Sequence, residues 1–310
     1  MKKNIILVAT VLLLLSVAFS QTTSLEKDLK KQNIDTTAQK SWKTGGVVSF
    51  NLSQISLKNW TSGGENSLSW NGLISLFANY KSGNSSWDNT IDIGYGLTKK
   101  GSDENFIKSD DKIDFSSKYG KKASKNWYYA GLLNLKTQMT AGYKMPNDSV
   151  KISAPFAPAY ILGAVGIDYK PSDKFSFYAS PLTAKTTIVT DKRLSNLGAF
   201  GVDSSKSIRN EFGGYTKLVL KLNIMKNITF QTKLDLFTNY LNNPQNIDVN
   251  WETLLSMKIN KFFSANITTN LIYDDDIDIP QDTNNDGTID KTGPATQFKE
   301  VFGLGITYKF

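Results

Sequence analysis

Residues 282–293 read DTNNDGTIDKTG. Oxygen-bearing side chains recur at every second position, and Gly287 stands where a calcium loop makes its sharp turn. Asp282, Asn284, Asp286, the Thr288 carbonyl and Asp290 fall at positions 1, 3, 5, 7 and 9 of such a loop, all of them hard oxygen donors suited to Ca2+. Position 12, which should hold a bidentate glutamate, is Gly293, and the flanking segments carry no helical period. An EF-hand sensor is thereby excluded. Asp274, Asp275, Asp276 and Asp278 crowd further carboxylates just upstream, a repulsion that a hard cation would relieve. The stretch is thus expected to be either a weak divalent site on a loop or a solvated acidic turn that reverses the chain through Asn-Asp-Gly chemistry. No other cofactor is expected.

The rest of the chemistry is bounded by what the chain lacks. It has no histidine and no cysteine among its 310 residues. That removes the commonest general base, the commonest zinc ligand, every Ser-His or Cys-His nucleophile and any disulfide framework. No enzymatic activity is expected. The formal charge of +8 is spread over scattered lysines with no basic stripe, so a nucleic-acid partner is not expected either.

The elements that must position these residues follow from a two-residue period. In SLSWNGLISLFANY (67–80), Leu68, Trp70, Ile74, Leu76, Ala78 and Tyr80 share one parity against Ser67, Ser69, Asn71, Ser75 and Asn79. A period of two places the two sets on opposite faces of a strand. The pattern recurs about 12 times, over 47–60, 66–81, 86–99, 111–121, 126–140, 157–170, 174–190, 207–224, 227–242, 246–260, 262–275 and 296–310. In KFSFYASPLTAKTTIV the apolar parity changes phase at Pro181, which predicts a bulge there. Helical period is confined to Ser24–Gln32.

Short turns, such as those at 170–173, 225–227 and 260–262, alternate with long loops at 100–110, 141–156, 190–206 and 276–295. Short turns on one side and long loops on the other mark a transmembrane β-barrel. A bilayer admits only helices or closed barrels, and no apolar run reaches the roughly 20 residues a spanning helix needs. We therefore expect an all-β fold, a transmembrane antiparallel up-and-down barrel of about 12 strands with both termini periplasmic. Its alternative, a secreted β-sandwich, would use shorter strands. Met1–Ser20 reads as a signal peptide, 21–43 as a polar N-terminal segment serving as periplasmic lead or partial plug, and 44–310 as the barrel. Trp70, Tyr80, Trp87, Tyr95, Trp127, Tyr129, Tyr240, Trp251, Tyr273 and Tyr308 fall on the apolar face, as interfacial girdles require. The final strand alternates Phe302, Leu304, Ile306, Tyr308 and Phe310, an aromatic ending that resembles the signal read by the barrel assembly machinery.

FNLSQISLKNWTSGGENSLSWNG (50–72), with its core Asn59-Trp60-Thr61-Ser62-Gly63-Gly64-Glu65-Asn66-Ser67, resembles the opening motif of a Bacteroidota outer-membrane β-barrel family catalogued as domain of unknown function 3078. SPLTAKTTIVTDKRLSNLGAFGVD (180–203), RNEFGGY (209–215) and LIYDDD (271–276) resemble further segments of it, so that the likeness runs from about Trp42 to Phe310. The resemblance implies the barrel and the outer membrane, with outer-membrane lipid and lipopolysaccharide around it. It supplies no activity and no catalytic residue.

On the other parity lie Asp92, Glu211, Asp235, Asp248 and Glu252 together with Lys136, Arg209, Lys217, Lys221, Lys233 and Lys258, a set expected to line the lumen as interleaved salt bridges. Gly94, Gly96, Gly303 and Gly305 share that parity and would leave local space. About 12 strands lie between the filled interior of 8 and the aqueous pore of 16–18. The leading expectation is a narrow channel or small-solute transporter. The alternative is a non-conducting barrel whose extracellular loops contact ligand, polysaccharide or partner proteins.

Overall fold

The computed structural model describes residues 41–309, apart from 59–64, 102–104, 145–149, 173, 261–262 and 285–287. The signal peptide, the stretch up to residue 40, the Asn59–Gly64 part of the opening motif, Asp286 and Phe310 lie outside the described residues.

Among the described residues, twelve long antiparallel strands close into one ring. In chain order they are β1 (Ser41–Ile55), β2 (Ser67–Ser82), β3 (Ser85–Lys100), β4 (Ile107–Lys122), β5 (Trp127–Thr137), β8 (Ala159–Ser172), β9 (Phe175–Ile188), β10 (Ile208–Met225), β11 (Ile228–Asn239), β12 (Asp248–Lys258), β13 (Phe263–Tyr273) and β16 (Gln297–Lys309). Each pairs with the next, and β1 pairs with β16 through Val47↔Lys309 to Phe50↔Ile306. Closure gives every strand of the ring two neighbours, as lying in lipid requires, with the β1–β16 seam the shortest ladder, four residue pairs among the described residues. The first strand starts at Ser41, slightly ahead of the boundary expected at 44.

Two minor hairpins stand outside the ring: β6 (Gly142–Tyr143) with β7 (Lys151–Ser153), and β14 (Ile279–Gln281) with β15 (Lys291–Gly293). A short helix, α1 (Lys192–Asn196), and a 3-10 turn (Ala199–Gly201) lie in the β9–β10 loop.

All the short turns fall at one end with the start of β1 and the end of β16, and all the long loops fall at the other. In this class the short-turn end is periplasmic, so both ends of the barrel sequence face that side.

The outward parity is apolar and exposed on every part of the ring. Phe50, Leu52, Leu76, Leu133, Val165, Leu182, Leu222, Trp251 and Ile306 all point away from the interior. An apolar surface this continuous has no place in water; it is the lipid face. Aromatic girdles bound it. At the short-turn end Trp42 packs on Tyr80 and Trp87, with ring centroids 5.2 and 5.7 Å apart, and Trp127 packs on Tyr169 at 4.8 Å. At the loop end Trp70 packs on Phe50 and Tyr95, and Phe212 on Tyr240. Trp70 and Tyr80 are ten residues apart on β2. At about 3.3 Å per residue and a tilt of about 40°, that separates the girdles by about 25 Å, the height of an outer-membrane apolar band. The chain is an outer-membrane barrel.

The phase change at Pro181 is a bulge, as expected. Val165 pairs with Leu182 and Ile167 with Ala179, so three steps on β9 oppose two on β8; β10 shows the same slip between Gly213 and Tyr215. Gly166 faces the bulge so closely that a Cβ there would lie 2.0 Å from the Ala179 carbonyl. The bulge keeps Phe177 and Leu182 in lipid while turning Tyr178, Thr183 and Lys185 inward.

Candidate functional site: the charged lumen

The inward parity builds the lumen, and its middle is a layer of paired charges. Lys112 on β4 reaches Glu252 on β12, 3.9 Å away, and Asp114 at 3.6 Å. β4 and β12 lie six strands apart in either direction round the ring, so this ion pair spans the full width of the barrel. Lys136 on β5 meets Asp235 on β11 at 3.8 Å, and Lys217 on β10 meets the same carboxylate at 3.1 Å.

Register adds two more members. Lys233 lies beside Glu252 across β11 and β12, and Asp92 beside Asp114 across β3 and β4. The layer therefore holds four cations (Lys112, Lys136, Lys217, Lys233) and four carboxylates (Asp92, Asp114, Asp235, Glu252). Neutral donors complete it. Asn134 Nδ2 donates to Asp114 at 2.7 Å, the Tyr215 hydroxyl to Asp235 at 2.7 Å, and the Ser75 hydroxyl to Asp92.

A second layer lies nearer the loops. Lys185 contacts Asp248 at 2.7 Å, Glu211 at 3.5 Å and Asp274 at 3.7 Å, and its ammonium sits over the Phe237 ring. Arg209 binds Glu211 at 2.8 Å and Asp276 at 3.3 Å, and donates to the Gly201 carbonyl at 2.9 Å. Arg209 thus ties the β9–β10 loop and the β13–β16 loop to the barrel wall. Toward the short-turn end, Lys118 pairs with Asp168 at 2.8 Å.

The expected lumen set is found inside, with differences. Lys258 ends β12 and is exposed at the rim. Gly94 and Gly96 are inward but do not leave open space. A Cβ on Gly96 would lie 2.9 Å from both the Asn71 amide and the Ser109 hydroxyl, and one on Gly94 would lie 3.5 Å from Asp110. Larger polar side chains of β2 and β4 occupy the room the glycines give up.

Nor is the inner wall wholly polar. Ala130, Leu132, Ala164, Tyr178, Tyr215 and Phe237 form a buried apolar cluster on the β5–β8–β9–β10–β11 side, with Leu162 against it. Sequence reasoning missed Lys112, Asp114 and Lys185. The first two alternate with Ile113 and Phe115, a period that identifies them. Lys185 is inward only because the bulge shifts its strand by one residue.

The long loops carry a small core of their own. Ala154, Ala157, Val189, Leu194 and Val202 are buried together, with Ala199 and Phe200 packed against them. Asp191 caps α1, accepting from the Arg193 and Leu194 amides at 3.0 and 3.1 Å, and takes a 2.8 Å bond from Lys151. Those donors, the Lys151 ammonium first, hold the Asp191 carboxyl below the usual carboxylate range. Phe156 and Phe200 take left-handed backbone (φ 52° and 61°), unfavourable for bulky residues; Phe200 packs against this core.

The residues singled out for calcium sit on the β14–β15 hairpin. Asp290 accepts from the Thr283 amide and hydroxyl at 2.9 and 2.7 Å, its own amide donates to the Gln281 carbonyl, and its carboxyl is held low by these donors. Asp282, Asn284 and Thr288 lie on the same loop, while Asp286 falls outside the described residues. Among the described residues, no three or more His, Cys, Asp or Glu side chains are grouped to hold a metal ion.

Residues 50–143 match the family described as "Protein of unknown function (DUF3078)", which bears out the resemblance carried by the opening motif. Residues 163–290 match a second family, "Protein of unknown function, DUF481", so the likeness to the first stops well short of Phe310. No curated protein matches the chain. Similar solved structures include the COG4313 outer membrane channel from Pseudomonas putida F1 (10% identity, 90% of this chain and 100% of that one, TM-score 0.41). Others are the NanC porin (10%, 86% and 100%, TM-score 0.38) and the translocator domain of autotransporter NalP from Neisseria meningitidis (9%, 93% and 92%, TM-score 0.36). These overlaps are loose; the fold rests on the closed ring itself.

Proposed function

We propose that this outer-membrane barrel is a narrow, low-conductance channel for small polar solutes, and not an enzyme. One observation carries the reading: the side chains of the charged layer at mid-lumen are not close-packed. The side chains of Lys112, Lys136 and Lys217 keep 35%, 31% and 29% of their exposure although they lie inside the ring. An interior that served only as a core would be filled as the Tyr178–Phe237 cluster is filled. Here the bridging groups are long lysines on flexible stems, which a passing solute can displace.

The packed loops favour a second reading, a non-conducting barrel whose extracellular surface binds ligand, polysaccharide or a partner protein. Arg209 anchors those loops over the mouth. Lipopolysaccharide around the outer girdle and assembly through the C-terminal strand belong to either reading. The Asp282–Asp290 loop is assigned the structural role of a hairpin turn, with a weak Ca2+ site as its alternative. Single-channel recording in planar bilayers tests the main reading. Small, discrete, ohmic current steps are expected; a folded, heat-modifiable protein that carries no current would leave the binding reading.

A further inference from the structure

We infer that the solutes that pass are small zwitterions, molecules of the free amino-acid type that carry an ammonium and a carboxylate together. This rests on the channel reading above and names its substrate class. Lys112 and Glu252 face each other across the whole lumen at 3.9 Å, so a solute crossing this layer meets charges of both signs together. Lys136 and Asp235 bridge the interior beside them at 3.8 Å. Parting a partly exposed ion pair leaves two charges without their partners, a modest cost that a solute carrying both signs offsets.

A neutral solute parts the pair and replaces neither partner. A cation satisfies Glu252 but leaves Lys112, and an anion does the reverse. A zwitterion gives its carboxylate to Lys112 or Lys136 and its ammonium to Glu252 or Asp235 in the same step. The layer offers both signs at once, because its four lysines and four carboxylates balance and each bridging lysine lies against a carboxylate. A lumen tuned to one ion sign would carry a ring of that sign. Tyr215 and Asn134 already donate to Asp235 and Asp114, so these carboxylates stay in place when a lysine swings aside.

The test is uptake of isotopically labelled solutes of similar size into liposomes holding the full barrel. The set is L-glutamine (zwitterion), L-arabinose (neutral), glutarate (anion) and cadaverine (cation). Glutamine is expected to enter roughly fivefold faster than the other three, the factor a single compensated ion pair supplies at a partly solvated site. In the doubly substituted Lys112→Met/Glu252→Gln barrel, checked for folding by heat-modifiable migration, the four rates converge. Entry of all four without a preference for glutamine overturns the zwitterion inference and leaves the channel reading standing. Exclusion of all four overturns both.

Discussion

Lys112 and Glu252 show what a single contact is worth in this barrel. Each is partly solvated, so the pair contributes far less than its Coulomb energy in a dry interior would suggest. Removing one partner leaves the other's charge inside the lumen. Lys112→Met and Glu252→Gln should therefore each destabilise the barrel, and the double substitution should cost less than their sum. The expected coupling is about 1 kcal/mol, read from urea unfolding in detergent micelles as a double-mutant cycle. Gly166 is governed by sterics instead. A Cβ placed 2.0 Å from a backbone carbonyl cannot be accommodated without moving β9. Gly166→Ala should cost on the order of 3 kcal/mol and lower the temperature of heat-modified migration, whereas Gly163→Ala, which meets nothing within 4 Å, should not.

At the scale of elements, the loops respond to pH and the barrel strands to register. Asp191 caps α1 and binds Lys151, and its carboxyl is held below its ordinary value. A lowered folded value means stability that is present above the unfolded value, about 3.9, and lost as pH falls through the folded one. The Lys151 ammonium is correspondingly raised by the same bond, so its contribution is complete below about pH 10 and lost above the raised value. The α1 loop should thus be protected across neutral pH and open in acid. Hydrogen exchange of its amides, corrected for intrinsic rates, measures this, and Asp191→Asn should remove the acid transition. The β14–β15 hairpin depends on Asp290 in a similar way, through two donors from Thr283. Asp290→Ala should speed exchange at Thr283 while leaving the barrel amides unchanged, with or without added Ca2+.

For the whole molecule, closure of the ring and the Arg209 tie set the behaviour. A sheet that pairs every strand within lipid unfolds only with difficulty, so the purified protein should migrate as a compact β-rich band in detergent until heated. Recovery as a soluble, detergent-free monomer would contradict the apolar exterior. Arg209 joins Gly201, Glu211 and Asp276, holding two loops inward over the mouth. Arg209→Ala should free them and raise single-channel conductance with no change in the protease-resistant core. An unchanged conductance would place the resistance to flow at the Lys112–Glu252 layer.

The amino-acid pattern alone determines the strands, their approximate number, their outward faces, the girdles and the sidedness of the turns. Each follows from a local period of two and from what a bilayer tolerates, and neither needs knowledge of which strands meet. The bulge at Pro181 was legible for the same reason, as a break in that period. Tertiary structure decided what the inward residues do. A parity shows that Lys112 and Glu252 point inward; only ring closure puts them face to face, because β4 and β12 are remote in sequence and meet across the diameter. It also decided that the inward glycines are filled by Asn71, Ser109 and Asp110, and that one wall of the lumen is an apolar core. The calcium-like spacing of 282–290 was a property of the sequence. What the hairpin adds is local: the Asp290 carboxylate accepts from the amide and hydroxyl of Thr283.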